Sequence, residues 1–277
     1  MGGRMPLATR LGSLEARLVE DRAELLAAQE LRYRVFYEEQ GAHADPATRR
    51  ARRDVDRFDA LADHLVVLDL SRSTARRPVV VGCYRLLRER VALAGGGFYS
   101  QSEFDLGPLL APPVEGRRRG ELLELGRSCV DPAFRNGTVV QLLWRAIALY
   151  LEEHDCSLLF GCASLPGSDV AAVAPQIRYL HERHLAPLPL RPVALAARRV
   201  AHEPFAVEGW ESQAAFRALP PLLKGYLRLG AMIGEGAVLD AAFDTIDVCI
   251  VLPRERIDAR YRRHYTSAGE APVDTNA

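Results

Sequence analysis

The sequence predicts an α/β fold: a mixed central sheet with flanking helices, in which one strand bulges and splays from its neighbour. Three observations predict it. Apolar, strand-length runs recur at residues 64–70, 79–87, 121–130, 158–164 and 245–253, bounded by polar or Gly/Pro-rich segments. Stretches with helical spacing lie between them, most clearly at 21–38 and 139–151. The third is ELLELGRSCVDPAFRNGTVVQLLWRAIALYL (121–151), an apolar strand carrying Glu124 and Arg127 that runs through a turn into an amphipathic helix.

Strict alternation would put Glu124, Gly126 and Ser128 on one face of that strand and Leu123, Leu125, Arg127 and Cys129 on the other. A one-residue bulge, most naturally at Gly126, would bring both charges to one face and part the strand from its neighbour, leaving backbone groups for a ligand. An ordinary core strand with one internally satisfied charge is the alternative.

Taken in order, LEARLVE (14–20) reads as a first strand and 21–38 as a helix ending in LRYRVFYEE, where Leu31, Val35 and Glu38 share one face and Arg32 and Phe36 another. Residues 42–60 are polar and Arg-rich, with Arg49, Arg50, Arg52 and Arg53 preceding DVDRFD; such a cluster is a solvated face or a site for an acidic protein or anionic surface. Asp54, Asp56 and Asp59 lack the glycine turn and closing Glu of a calcium loop, so no metal is predicted there. Segments 64–70 and 79–87 read as an antiparallel pair, and Arg85 inside the second needs a partner or a ligand.

After the strand–turn–helix unit, LLFGCAS (158–164) is a further buried strand, followed by a Ser168-capped helix to about His184. HERH offers two metal ligands and no third. A helix starts near Pro221, AVLDAAF and TIDVCIVLP form two last strands, and RERIDARYRRHY reads as a closing basic helix. One domain over 11–265 is expected, with flexible ends at 1–10 and 266–277.

The 277 residues suffice for a substantial core, and 48% hydrophobic with 26% charged residues is an ordinary globular balance. Lys plus Arg and Asp plus Glu both total 36, so bulk charge gives no reason to expect nucleic-acid binding. No apolar run approaches the ~18–20 residues of a membrane helix, and a cytoplasmic protein is expected, with peripheral contact at the inner membrane face left open. Five cysteines without a CxxC pair suit reduced, buried thiols.

Several motifs together resemble a known group. Arg34-Val-Phe36, Asp56-Arg-Phe-Asp59, Arg85-Leu-Leu and Glu124-Leu-Gly-Arg127 occur in the order found in acyl-homoserine lactone synthases, members of the GNAT-like acyltransferases. Longer phrases, LRYRVFYEE, GGFYSQSEFDL, LELGRSCV, LFGCASLPG and LPPLLKGYLRLGA, resemble the bacterial ornithine N-acyltransferases that make lyso-ornithine lipid, and extend the likeness over nearly the whole chain. That resemblance implies transfer of a (3-hydroxy)fatty acyl group from acyl carrier protein to the α-amine of ornithine, with the phosphopantetheine thioester as co-substrate and no resident cofactor. The likeness to the lactone synthases implies a cluster of Arg34, Phe36, Asp56, Asp59, Arg85, Glu124, Arg127 and Ser128 around the substrate, with Glu124 and Arg127 catalytic. By residue chemistry Glu124 is the candidate base, Arg34, Arg85 and Arg127 are cations for an amino-acid carboxylate, and Asp56 and Asp59 are anions for its side-chain ammonium.

Related enzymes that bind coenzyme A commonly carry Arg/Gln-x-x-Gly-x-Gly/Ala before the helix to hold the diphosphate. Here Arg135-Asn-Gly137-Thr-Val-Val lacks the second small residue, which agrees with a carrier-protein donor. Carrier proteins are acidic, so Arg49–Arg53 and Arg117–Arg119 are candidate docking clusters. An S-adenosylmethionine-dependent signal synthase and a non-catalytic GNAT-like module are the competing readings.

Overall fold

A computed structural model describes residues 8–111, 120–201 and 211–257. The strands are β1 (Thr9–Leu11), β2 (Leu14–Leu18), β3 (Asp63–Asp69), β4 (Val80–Arg88), β5 (Phe104–Asp105), β6 (Glu121–Val130), β7 (Cys156–Pro166), β8 (Val193–Ala194), β9 (Met232–Ile233), β10 (Val238–Asp240) and β11 (Thr245–Pro253). The helices are α1 (Arg22–Tyr33), α2 (Pro46–Ala51), α3 (Glu89–Ala94), α4 (Gly107–Leu110), α5 (Thr138–Glu153), α6 (Val170–His184), α7 (Ser212–Ala218) and α8 (Pro221–Arg228). The main sheet runs β1-β2-β3-β4-β6-β7-β11-β10, with β9 also on β11. Every pairing in it is antiparallel except β6 with β7.

The expected mixed sheet is therefore present, with boundary corrections. Thr9 and Arg10, expected in a flexible end, pair with Ala16 and Glu15. Asp169, one residue beyond Ser168, caps α6 by accepting from Ala171 N. Of the proposed closing basic helix only residues 254–257 are described, with Arg254–Arg256 as a single 3-10 turn; its remainder, the 266–277 tail and Arg117–Arg119 lie outside the described residues.

The two sheet faces are covered differently. Leu65, Val67, Tyr84, Leu86, Leu123 and Leu125 meet the apolar stripes of α5, α6 and α8 on one face, through Leu143, Ile147, Ile177, Leu223 and Tyr226. On the other, α1 lays Ala28 and Leu31 against Val66, Leu68 and Cys83. Beside it the loops after β4 bring Phe98 and Phe104 onto Leu122, Phe160 and Val251. At about 25 cal/mol per Å² of apolar area, each fully buried leucine or phenylalanine contributes ~1.5–3 kcal/mol. The apolar bulk of α8 thus belongs to the core. Among the described residues no helix is long and apolar enough to cross a membrane.

The end of α1 departs from the regular helix expected through Glu38. From Arg34 to Glu39 the backbone takes a π-helical turn, which changes the angular phase of the side chains that follow. Arg32, just before that turn, points into the protein and is 1% exposed.

Candidate active site

The strand carrying Glu124 bulges, one residue away from the expected position. β4 and β6 pair Arg85 with Gly126 and Cys83 with Cys129, so two β6 residues, Arg127 and Ser128, face Tyr84 alone. Gly126 keeps its ladder position; Arg127 takes up the extra residue at φ 49°. A non-glycine residue in this left-handed region costs ~1–2 kcal/mol, and the Arg127 ion pairs oppose that cost. The consequence for the faces is the expected one: Glu124 and Arg127 come to the α1 side together. Ser128 turns to the opposite side, where its hydroxyl bonds Tyr84.

The splay is also present. β6 and β7 pair from Glu121–Cys156 to Glu124–Phe160 and no further, although both strands continue. Gly161 marks the parting point, since a Cβ there would lie 2.2 Å from the Leu125 carbonyl oxygen. Only glycine fits that backbone approach. The cleft that opens is lined by Leu125, Phe160, Gly161, Cys162, Tyr226 and Ile250 among others.

Glu124, the last β6 residue paired with β7 and the neighbour of the cleft-lining Leu125, is 4% exposed. Its two oxygens accept from the backbone N–H groups of Ser100 (2.7 Å) and Tyr99 (3.0 Å), so it holds the 3-10 turn Tyr99–Ser102 against the sheet. Burial pushes its carboxyl above the ordinary carboxylate range, against the downward pull of the Ser100 and Tyr99 donors and of Arg85. Beyond Ser100, the Cys162 thiol lies 3.4 Å from the Ser100 hydroxyl.

Next to Glu124, three arginines and three aspartates interlock. Arg32 donates to Asp54 Oδ2 at 2.7 Å and to the Asp59 carboxylate at 2.9 and 3.0 Å. Arg85 donates to Asp56 Oδ1 at 2.6 Å and Asp59 Oδ1 at 3.2 Å. Arg127 reaches Asp54 and Asp56, both at 3.1 Å. Burial alone would raise Asp54, yet Arg127 and Arg32 hold it below the usual carboxylate range; Asp59 is likewise lowered, against burial, mainly by its Arg32 hydrogen bonds. The Tyr99 ring lies under the Arg127 and Arg85 guanidinium groups at 4.9 and 5.7 Å.

These contacts sort the predicted residues. Asp56, Asp59, Arg85, Glu124 and Arg127 converge on one face. Arg34 does not join them: two residues after the inward-pointing Arg32, and so on nearly the opposite side of the helix, it points outward, half exposed, to Asp131 at 3.5 Å. Phe36 is a core residue one layer behind the site, packed edge-on against Phe243, whose face Arg127 covers at 4.8 Å. Ser128 belongs to the α5 side with Tyr84 and the cleft-lining Tyr226. Because the aspartates are occupied by arginines, the network is neutral overall and is no calcium loop.

Residues 31–145 match the family described as Acetyltransferase (GNAT) domain. The L-ornithine N(alpha)-acyltransferase of Brucella abortus (strain 2308) is 45% identical over 256 residues, covering 92% of this chain and 90% of that protein. The chain belongs to the L-ornithine N(alpha)-acyltransferase family. The corresponding protein of Agrobacterium fabrum (strain C58 / ATCC 33970) is also 45% identical, covering 95% of this chain and 87% of its own length. That of Rhodobacter capsulatus is 43% identical, covering 92% and 95% respectively. Among solved structures, the AHL synthase LasI superposes with a TM-score of 0.48 at 15% identity, covering 96% of this chain and 100% of that one. FeeM, an N-acyl amino acid synthase from uncultured soil microbes, gives 0.48 at 13% identity, covering 87% and 90%.

Within this acyltransferase family member, sequence reasoning missed Arg32, Asp54, Tyr99 and Ser100 as parts of the site. Arg32 had a signal: it shares a helical face with the core residue Phe36. Asp54 was visible only as one acid of DVDRFD, and Ser100 comes from the loop between β4 and β6, where no periodicity reports side-chain direction. The turn before α5 is also informative. Gly137 caps α5 at φ 94°, and Arg135 is bound through both terminal nitrogens to Glu39 and through Nε to Val130 O.

Proposed function

We propose that this chain transfers a (3-hydroxy)fatty acyl group from the phosphopantetheine thioester of acyl carrier protein to the α-amine of ornithine, giving a lyso-ornithine lipid. The observation that carries the reading is the buried Glu124 carboxylate at the point where β6 and β7 part, in a chain related over nine-tenths of its length to L-ornithine N(alpha)-acyltransferases. That relatedness favours this activity over a signal synthase or a non-catalytic module. The thioester is a co-substrate in this reading, and no resident cofactor takes part.

The chemistry follows from the atoms available. The substrate ammonium gives one proton to the Ser100 hydroxyl, which passes its own to Glu124; a carboxyl raised by burial is suited to receive it near neutral pH. The freed nitrogen lone pair attacks the thioester carbon, the C–S bond breaks with its electrons on sulfur, and the second amine proton ends on the leaving thiol. The unpaired edge of β6 beyond Glu124 faces the cleft, where backbone donors can hold the thioester oxygen. Arg85, whose aspartate bonds use only Nη1, and Arg127, whose aspartate bonds use Nε and Nη2, offer their other N–H groups beside Glu124 to the amino-acid carboxylate.

Two features favour a carrier protein as donor. Arg135, the cation nearest the α5 N-terminus in sequence, is committed to Glu39, which leaves little for a coenzyme A diphosphate. Arg49, Arg50 and Arg52 lie on and just after α2, and Arg52 pairs at 2.6 Å with Glu38, next to Glu39. A basic rim therefore borders the α5 turn, complementary to an acidic carrier. The test is incubation of the protein with ornithine and matched carrier-protein and coenzyme A thioesters, followed by mass spectrometry of the lipid fraction. N-acyl-ornithine from the carrier thioester in excess over coenzyme A is expected; no product from either donor refutes the reading.

A further inference from the structure

A second group of acids lies beyond Ser100, outside the arginine network. Glu103, Asp247 and Cys162 come from three separate segments, and their oxygen and sulfur atoms lie within 4.8 Å of one another. Glu103 is 0% exposed, and apart from the Cys162 thiol beside it neither carboxylate oxygen has a hydrogen-bond partner among the described residues. Arg198 approaches Glu103 at 3.7 Å and Asp240 at 3.9 Å, too far for hydrogen bonds. Burial first, then neighbouring acids, push Glu103 up to about 7 against the pull of Cys162 and Arg198, and contribute to an Asp247 value of about 6. A buried carboxylate whose nearest cation stands off at 3.7 Å, without a direct hydrogen bond, is only partly compensated for its lost hydration. Asp54, Asp56 and Asp59 differ in that each is hydrogen-bonded directly to two guanidinium groups.

The group adjoins the cleft through Cys162. Cys162 lines it and touches the Ser100 hydroxyl at 3.4 Å, so the acids lie two short steps from the proposed proton relay. That separation is on the scale of the about 6 Å between the two nitrogens of an extended ornithine. We propose that Glu103 and Asp247 form the receptor for the side-chain ammonium of the amine substrate, with Cys162 at the mouth between receptor and cleft. The proposal rests on an amino-acid acceptor with a cationic side chain, as in the proposed function. It replaces Asp56 and Asp59 in the role of ammonium receptor, since their lone pairs already serve Arg32, Arg85 and Arg127.

The test compares L-ornithine with L-norvaline, which has the same carbon chain without the terminal ammonium, in wild type, Glu103→Gln and Asp247→Asn. Wild type is expected to prefer ornithine in kcat/KM. Each variant should lose about 30-fold or more of that preference, chiefly through the ornithine KM, or ~2 kcal/mol at 1.4 kcal/mol per tenfold. A structural role would lower both substrates together and leave the ratio intact, and that result overturns the proposal; the second variant decides if the first is insoluble. One equivalent of divalent metal bound by wild type and lost from Glu103→Gln would also overturn it, in favour of a metal site. Wild type inactive with ornithine from either donor would remove the proposed function itself, a different outcome from an active enzyme with an unchanged ratio.

Discussion

Replacing Arg32 with Met should be far more damaging than replacing Arg34 with Ala, although the two lie two residues apart. Arg32 makes four hydrogen bonds inside the protein, three to Asp54 and Asp59 side chains and one to the Asp54 carbonyl at 2.7 Å. Asp54 and Asp59 are themselves buried, so the variant leaves two carboxylates facing one fewer cation. Breaking a buried ion pair from one side costs ~3–5 kcal/mol. Arg34, half exposed at 3.5 Å from Asp131, falls in the class of surface pairs worth ~0–1 kcal/mol. Urea unfolding at pH 7 followed by tryptophan fluorescence measures both. At an m-value of ~3 kcal/mol/M, the Arg32→Met midpoint should fall by about 1–2 M and Arg34→Ala by no more than about 0.3 M. Equal midpoints for the two variants would refute the reasoning from the network.

Two more expectations concern stability. A carboxyl whose folded pKa lies above its ordinary 4.5, as Glu103 does at about 7, contributes stability fully present below pH 4.5 and lost as pH rises through 7. Between pH 5 and 8 the wild type should therefore lose ~3 kcal/mol relative to Glu103→Gln, at 1.36 kcal/mol per unit; parallel urea midpoints across that range would contradict this. In Gly161→Ala the new methyl meets the Leu125 carbonyl, whose backbone cannot swing aside, so ~1–3 kcal/mol of destabilisation is expected together with a raised KM for the acyl donor. An unchanged melting temperature and donor KM would show that the strands part without help from the glycine.

Much of the fold is legible because embedded charges stand out in apolar strands. Glu124, Arg127 and Arg85 each break a run of Leu and Val, and each belongs to the site. The bulge follows from the need to put Glu124 and Arg127 on one face, but its position does not. Glycine is the cheaper residue for φ > 0, whereas here the ion pairs of Arg127 to Asp54 and Asp56 outweigh the local preference. Arg32 and Arg34 lie about 200° apart on a helix, so only one of them can face the sheet; Arg32 shares the face of the core residue Phe36, and it is Arg32 that is buried. Asp247 carries the same signal as Glu124, an acid within TIDVCIVLP, yet gains meaning only from its neighbours. Glu103 and Cys162 are far away in sequence, so only the fold brings the three together.

The central claim is that acyl transfer runs through Glu124 and Ser100 at the parting of β6 and β7. Single-turnover transfer to ornithine as a function of pH, in wild type, Ser100→Ala and Glu124→Gln, tests it most directly. Ser100→Ala keeps the backbone N–H that anchors the loop and removes only the hydroxyl, so it separates proton transfer from structure. The predicted result is a rate lowered ~100-fold or more in Glu124→Gln and at least about tenfold in Ser100→Ala. The wild-type acidic limb should be missing from the Glu124→Gln profile. Folded Glu124→Gln that turns over at the wild-type rate with the same pH profile would contradict the account.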